Sequence, residues 1–91
     1  MRKEPVEIYS DQTNCAIMRH PGRQFPGVLI QGDTLYYSLC IAADDACKLM
    51  GPNSPGFEET NELRNKLWSM LSHYKAVLIE HGLPLPFNQT K

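Results

Sequence analysis

The stretch Arg19-His20-Pro21-Gly22-Arg23-Gln24-Phe25-Pro26-Gly27-Val28-Leu29-Ile30-Gln31-Gly32-Asp33 decides how the chain folds. It opens with a basic, Pro/Gly-rich segment. Pro-Gly occurs twice, and each pair is a strong turn signal. Pro21 pushes His20 away from helical angles, so a strand is expected to end there. Val28-Leu29-Ile30-Gln31 reads as a strand over 28–31. It is the most apolar strand candidate and is expected in a well-buried position. Gly32 breaks it, and Asp33 reads as the N-cap of the segment that follows.

Toward the N-terminus, Val6-Glu7-Ile8-Tyr9 alternates, with Val6 and Ile8 on one face and Glu7 and Tyr9 on the other. That pattern predicts a short half-buried strand over 6–9. The residue types of Ser10-Asp11-Gln12-Thr13-Asn14 make a turn. Cys15 to His20 gives a strand over 15–20. Strand, short turn, strand, loop, strand reads as an antiparallel meander.

Toward the C-terminus, the pattern turns helical over 34–50. Leu35, Leu39, Ala43, Ala46 and Met50 form one stripe, flanked by Tyr36, Cys40 and Cys47. Asp44 and Asp45 are expected away from it. Gly51-Pro52 is a helix stop. Ser54-Pro55 caps and starts a second helix over 55–81, with regular turns from about Glu58. Its stripe is Leu63, Leu67, Met70, Leu71, Tyr74, Val77 and Leu78, closed by His81 and Gly82. The tail 83–91 is expected to lie extended, with Leu83, Leu85 and Phe87 covering apolar surface. The short helical connection implies antiparallel neighbours. The expected fold class is α+β. A two- or three-stranded antiparallel sheet is followed by, and packed against, a helical hairpin in a single domain, 1–91.

Composition narrows the function. The chain has 91 residues, 42% apolar and 21% charged, as in an ordinary globular domain. Nine basic against ten acidic side chains leave a net charge of −1, so no global field draws nucleic acid. No apolar run approaches the roughly 18 residues that span a bilayer. The N-terminus lacks the apolar run of a signal peptide. Cys15, Cys40 and Cys47 make an odd count with no Cys-x-x-Cys. Cys40 and Cys47 stand about 10 Å apart along a helix, too far for a disulfide. Reduced, buried thiols in a soluble cytoplasmic protein are the expectation.

Candidate chemistry is sparse. Arg19, His20 and Arg23 cluster at the turn, where guanidinium groups can hold carboxylates or phosphates in two-point contacts. The plain alternative is a solvated hairpin loop. The glycines do not make a phosphate loop, because the Lys-Ser/Thr pair is missing. The spacings of Cys15, Cys40, Cys47, His20, His73 and His81 match no zinc pattern, so no metal or cofactor is expected. Cys15 and His20, five apart on one strand, would point to opposite faces and make no nucleophile pair. Asp44 and Asp45 diverge by about 100° on a helix and make no carboxylate pair. Trp68 falls at the edge of the second helix's apolar face, on a stripe with Asn61, Arg64 and Lys75. It is either an interface anchor or a residue packed under the tail. Of Tyr36 and Tyr37, one is expected to face outward.

Val6 to Asp11, Met18 to Asp33, Leu63 to Trp68 and His73-Tyr74-Lys75 together resemble a family of short bacterial proteins of unknown function. The most specific part is Arg-x-Pro-Gly-Arg-x-Phe-Pro-Gly followed by Val-x-Ile-Gln-Gly-Asp, which spans Arg19, Pro21 to Arg23 and Phe25 to Asp33. The resemblance implies a bacterial, cytoplasmic, single-domain protein with no assigned activity, and it brings no catalytic residues. Small bacterial domains of this size often serve as immunity proteins that neutralise a toxin, an analogy of size and style.

The leading expectation is a non-enzymatic protein-binding module, such as an immunity-type inhibitor, recognising another protein through Arg19, His20, Arg23, Tyr37, Arg64 and Trp68. A small-molecule or anion sensor built on Arg19, His20 and Arg23 is the second reading. A structural homodimer that pairs an exposed sheet face or edge is the third.

Overall fold

A computed structural model describes residues 1–87. The part of the expected tail at 88–91 lies outside the described residues. The fold is α+β, a three-stranded antiparallel sheet followed by helices. The chain divides into two compact units, Met1–Gln31 and the remainder from Gly32 onward.

The first unit is the sheet, with strands β1 (Glu7–Ser10), β2 (Cys15–Arg19) and β3 (Gly27–Ile30) in the order β1-β2-β3. All three fall within one residue of the expected bounds. Residues 11–14 make the first connection, where the Thr13 hydroxyl accepts from the Cys15 amide at 3.1 Å. The second begins with a tight turn in which the Arg23 amide donates to the His20 carbonyl at 3.1 Å. Pro21 supplies the fixed φ of its second position. Gly22, at φ +84°, supplies the positive φ of its third, a type II arrangement.

Pairing fixes the faces, since directly opposed residues share one side. Ile8 opposes Met18, Met18 opposes Gly27 and Ala16 opposes Leu29. Glu7 opposes Arg19, and Ile17 opposes Val28. Between Ile8 and Ser10 the register slips by one residue, a bulge in β1.

Burial departs from the sequence expectation at two strands. β3 is not the well-buried one, for Val28 is 60% and Leu29 44% exposed. Its apolar composition says nothing of strand order. In a meander the middle strand takes the centre, so β2 is central and β3 is an edge. β1 is likewise exposed rather than half-buried. Ala16 of β2 is buried.

The second unit is helical. α1 (Gly32–Thr34), a π-helical segment (Leu35–Cys40) and α2 (Ile41–Met50) run on without a break. The Ile41 amide donates to the Tyr36 carbonyl five residues back, the bond that defines a π turn. The widened turn moves the inward face. Tyr36, Cys40 and Cys47 are buried together with Leu35, whereas Leu39, Ala43, Ala46 and Met50 are only half-buried. The expected stripe assumed 3.6 residues per turn throughout, which fails here. Asp33 is also not an N-cap. It lies inside α1, and its carboxylate accepts from the adjacent Thr34 amide at 2.9 Å.

Gly51, at φ +79°, ends α2, and its amide bonds back to the Cys47 carbonyl at 3.1 Å. Ser54 does not cap the next helix. Its hydroxyl turns back onto the Met50 carbonyl, and Gly56 takes the N-cap position. α3 (Phe57–Glu80) closes with Gly82 at φ +69°. The Leu83 amide then donates to the Leu78 carbonyl at 2.9 Å and the Gly82 amide to the Ile79 carbonyl at 3.1 Å, a Schellman closure.

α3 packs on α2 and on the π segment. The two helical runs are antiparallel. Residues 32, 36 and 44 meet 74, 68 and 64 in turn. The inward face of α3 carries Arg64, Leu67, Trp68, Leu71, Tyr74, Lys75 and Leu78, with Leu71 fully buried. Leu63, Met70 and Val77, expected in the stripe, are exposed. The inward face is therefore the stripe that holds Trp68, because its partner, the π-helical run, presents aromatic and polar groups there. Of the tail, Phe87 is buried and Leu85 half-buried, while Leu83 is exposed and covers nothing.

Candidate functional site

The side chains singled out in the sequence fall into two groups, one in each unit. Arg19, His20 and Arg23 belong to the sheet unit. Tyr37, Arg64 and Trp68 belong to the helical unit.

In the sheet unit, β2 places Arg19 directly across from Glu7. The guanidinium grips one carboxylate oxygen of Glu7, with Nε at 2.6 Å and Nη2 at 2.5 Å. The Tyr9 hydroxyl donates to the same oxygen at 2.9 Å. These bonds, Tyr9 first and Arg19 second, hold the Glu7 carboxyl below its ordinary range. The same bond to Glu7 pushes the Tyr9 phenol above its ordinary range. Arg19 is thus spent inside the sheet.

His20 and Arg23 flank the type II turn. His20 Nδ1 lies 2.7 Å from the Pro21 carbonyl. Donation along that contact puts the proton on Nδ1 and leaves Nε2 as the outward nitrogen. Neither His20 nor Arg23 has a carboxylate within ion-pair distance among the described residues. Both line an open cleft of about 520 Å³ whose other walls include Val6, Met18, Phe25 and Val28. A second hollow of about 490 Å³ shares Val6, His20 and Arg23 and reaches Pro5 and Arg19. Phe25 is 74% exposed. The loop therefore presents an aromatic ring and two basic groups beside apolar strand residues. It can hold a ligand that is apolar in body and carries an anionic group at one end.

In the helical unit, Trp68 and Arg64 both turn toward Asp44. The Trp68 indole Nε1–H donates to Asp44 Oδ1 at 3.0 Å, and Arg64 Nη1 stands 3.8 Å from the same oxygen. Trp68 meets the Tyr36 ring edge-on, centroids 6.1 Å apart, and Tyr36 stacks on Phe87 at 4.5 Å. Trp68 and Arg64 are thus engaged within the chain. Tyr37 is the outward member of its pair, with its ring edge-on to Tyr36 at 4.8 Å. Asp44 escaped the sequence reading, which placed it away from the buried stripe. The signal was Trp68 itself, since an indole N–H at a core border needs an acceptor.

The thiols are separated by environment. Cys40 and Cys47 are buried, but Cys15 is exposed, contrary to expectation. It is the first residue of β2, on the face opposite the buried Ala16. Burial, and then the Asp44 charge, push the Cys40 thiol up, so it stays protonated. Among the described residues, no group of three His, Cys, Asp or Glu side chains is placed to hold a metal ion. No described helix is long and apolar enough to cross a membrane.

The family model that matches the chain covers residues 1–87. The chain belongs to DUF6959, a family of unknown function. No curated protein and no solved structure matches it. The DUF6959 match covers the sheet, the loop with His20 and Arg23, and all the described helices.

Proposed function

We propose that this DUF6959 chain is a non-enzymatic protein-binding module of the bacterial cytoplasm, with its recognition face on the sheet unit around the β2–β3 loop. One observation carries the reading. A single open cleft brings together exposed apolar side chains, the Arg23 guanidinium and the His20 imidazole, neither of which has a carboxylate within ion-pair distance among the described residues. An exposed phenylalanine beside an exposed valine is costly in water unless something covers it. A broad, open surface with an aromatic centre and a basic rim suits a protein better than a small molecule, which favours an enclosed pocket. An immunity-type inhibitor is the narrowest form of this reading, because covering a toxin's surface needs no catalytic group.

The test is a calorimetric titration against the purified products of the adjacent genes. The expected result is a one-to-one complex that Arg23→Ala or Phe25→Ser weakens by about tenfold or more, near 1.4 kcal/mol, with an unchanged melting temperature. Absence of binding, or binding indifferent to both substitutions, overturns it.

The anion-sensor reading draws on the same two residues. It is the weaker, because Arg19 is neutralised by Glu7 and only His20 and Arg23 remain to bind. A thermal shift with inorganic phosphate that Arg23→Ala abolishes would favour it.

A further inference from the structure

The most apolar strand of this protein lies at an edge, and its outer backbone groups are open. The register shows which groups these are. Antiparallel pairs alternate between hydrogen-bonded and non-bonded. The Gln31 amide donates to the Asn14 carbonyl at 3.2 Å, so that pair is of the bonded kind. Along the ladder, Leu29 with Ala16 and Gly27 with Met18 are bonded, whereas Ile30 with Cys15 and Val28 with Ile17 are not. The amides and carbonyls of Val28 and Ile30 therefore point away from β2. Among the described residues no backbone or side-chain group bonds to them.

Natural sheets blunt such edges with charge, proline or a bulge. β1, the other edge, has all three devices: Pro5 just before it, Glu7 within it and the bulge between Ile8 and Ser10. β3 has none. Its four residues, Gly27 to Ile30, carry no charge and no proline, and its register is unbroken over four pairs.

We propose that β3 pairs antiparallel with β3 of a second copy of this chain, joining two sheets into one of six strands. The edge is self-complementary in one register. With a two-fold axis at Leu29, Val28 meets the partner's Ile30, and Ile30 meets the partner's Val28. Each of these pairs exchanges two bonds, so all the outward amides and carbonyls are satisfied by four N–H···O=C bonds. Leu29 then faces the partner's Leu29 in a non-bonded pair, the kind whose Cα atoms approach to about 4.5 Å. Only uncharged residues lie opposite one another across this strand, so nothing repels. The pairing is an isologous contact, which closes at two chains. Strands of four residues bury little area, so the dimer is a weak one. The inference does not rest on the protein-binding reading: Val28 and Leu29 also line the cleft beside His20 and Arg23, but the pairing uses the outward backbone groups of β3.

Light scattering on the whole chain from about 10 μM to about 1 mM, where small interfaces associate, tests it. The expected mass rises with concentration from 10.3 kDa toward twice that value. Leu29→Lys and Leu29→Glu each set like charges face to face at the axis and hold the chain monomeric. Mixing the two variants restores association, which a general loss of folding would not allow. In the wild type, exchange of the Val28 and Ile30 amides slows as concentration rises. A mass of 10.3 kDa at every concentration overturns the proposal. So does a dimer that survives both single variants, a mixture that stays monomeric, or Val28 and Ile30 amides protected equally at all concentrations. The last result would mean that another segment of the chain or a foreign strand occupies the edge.

Discussion

The ring of Tyr74 lies where a Cβ on residue 32 would be. Gly32 is buried at the start of the helical run, and the approach of α3 needs it bare. Read along the chain, this glycine is a strand breaker. In the fold it is a packing residue for a tyrosine 42 positions later.

Gly32→Ala is therefore expected to destabilise the helical unit by about 1–3 kcal/mol, the cost of forcing an aromatic ring aside. Adding Tyr74→Ala removes the clash. The double variant should lose less than the two single losses added together, a coupling that denaturant titration measures directly. Strict additivity would mean that the ring moves away freely.

The pairing of Trp68 with Asp44 gives a second expectation. Trp68→Phe keeps an aromatic, though smaller, ring but loses the indole donor to a carboxylate, at about 1–2 kcal/mol. Asp44→Ala should cost a similar amount and shift the tryptophan emission to longer wavelength as the indole gains water. Arg64→Ala, which removes only a long and partly exposed ion pair, should cost about 0.5 kcal/mol or less.

The thiols are expected to react in two classes. Cys15 is exposed, and Cys40 and Cys47 are buried, with the Cys40 thiol held protonated. A thiol reagent should label one cysteine quickly in the folded protein and three in denaturant. Fast labelling of all three in the native chain would show that the helical unit opens readily.

Acid should loosen the sheet through Glu7. Its carboxyl is held below the ordinary value of 4.5 in the fold, chiefly by Tyr9 and then by Arg19. A depressed carboxyl contributes stability that is present above its unfolded pKa. That contribution is lost as pH falls through the lower, folded value. The melting-temperature gap between wild type and Glu7→Gln should be present near neutral pH and close on the acid side of 4.5. The group is exposed, so salt should shrink the gap.

Much of the architecture is readable along the chain. Alternation at Val6 to Tyr9 marks the first strand and the Pro21-Gly22 pair marks the turn after the second, because pleat and turn chemistry act between neighbours. Gly51 and Gly82 mark helix ends for the same reason, each supplying a positive φ that other residues avoid. The candidate loop is legible too, since Arg23 and His20 are set beside one local turn. The phase of the helical faces is not readable. A π segment over Leu35–Cys40 adds to the turn, and no local residue pattern announces it. Periodicity alone thus chose Leu67, Leu71, Tyr74 and Leu78, which do face inward, but also Leu63, Met70 and Val77, whose places Arg64, Trp68 and Lys75 take.

What the sequence alone determined was the element list: three strands, then helices, with their turns and the C-terminal ends of the helices. Those depend on backbone preferences and contacts a few residues long. Which strand is central, which helix face is inward and which charges are spent depended on pairing between distant segments. Val28 to Gln31 reads as interior by its apolar content, yet the meander leaves that strand at the edge. Arg19 reads as a free cation, yet β1 brings Glu7 opposite it. Hydrophobicity records that a residue seeks cover, and only tertiary structure decides whether its own chain provides it.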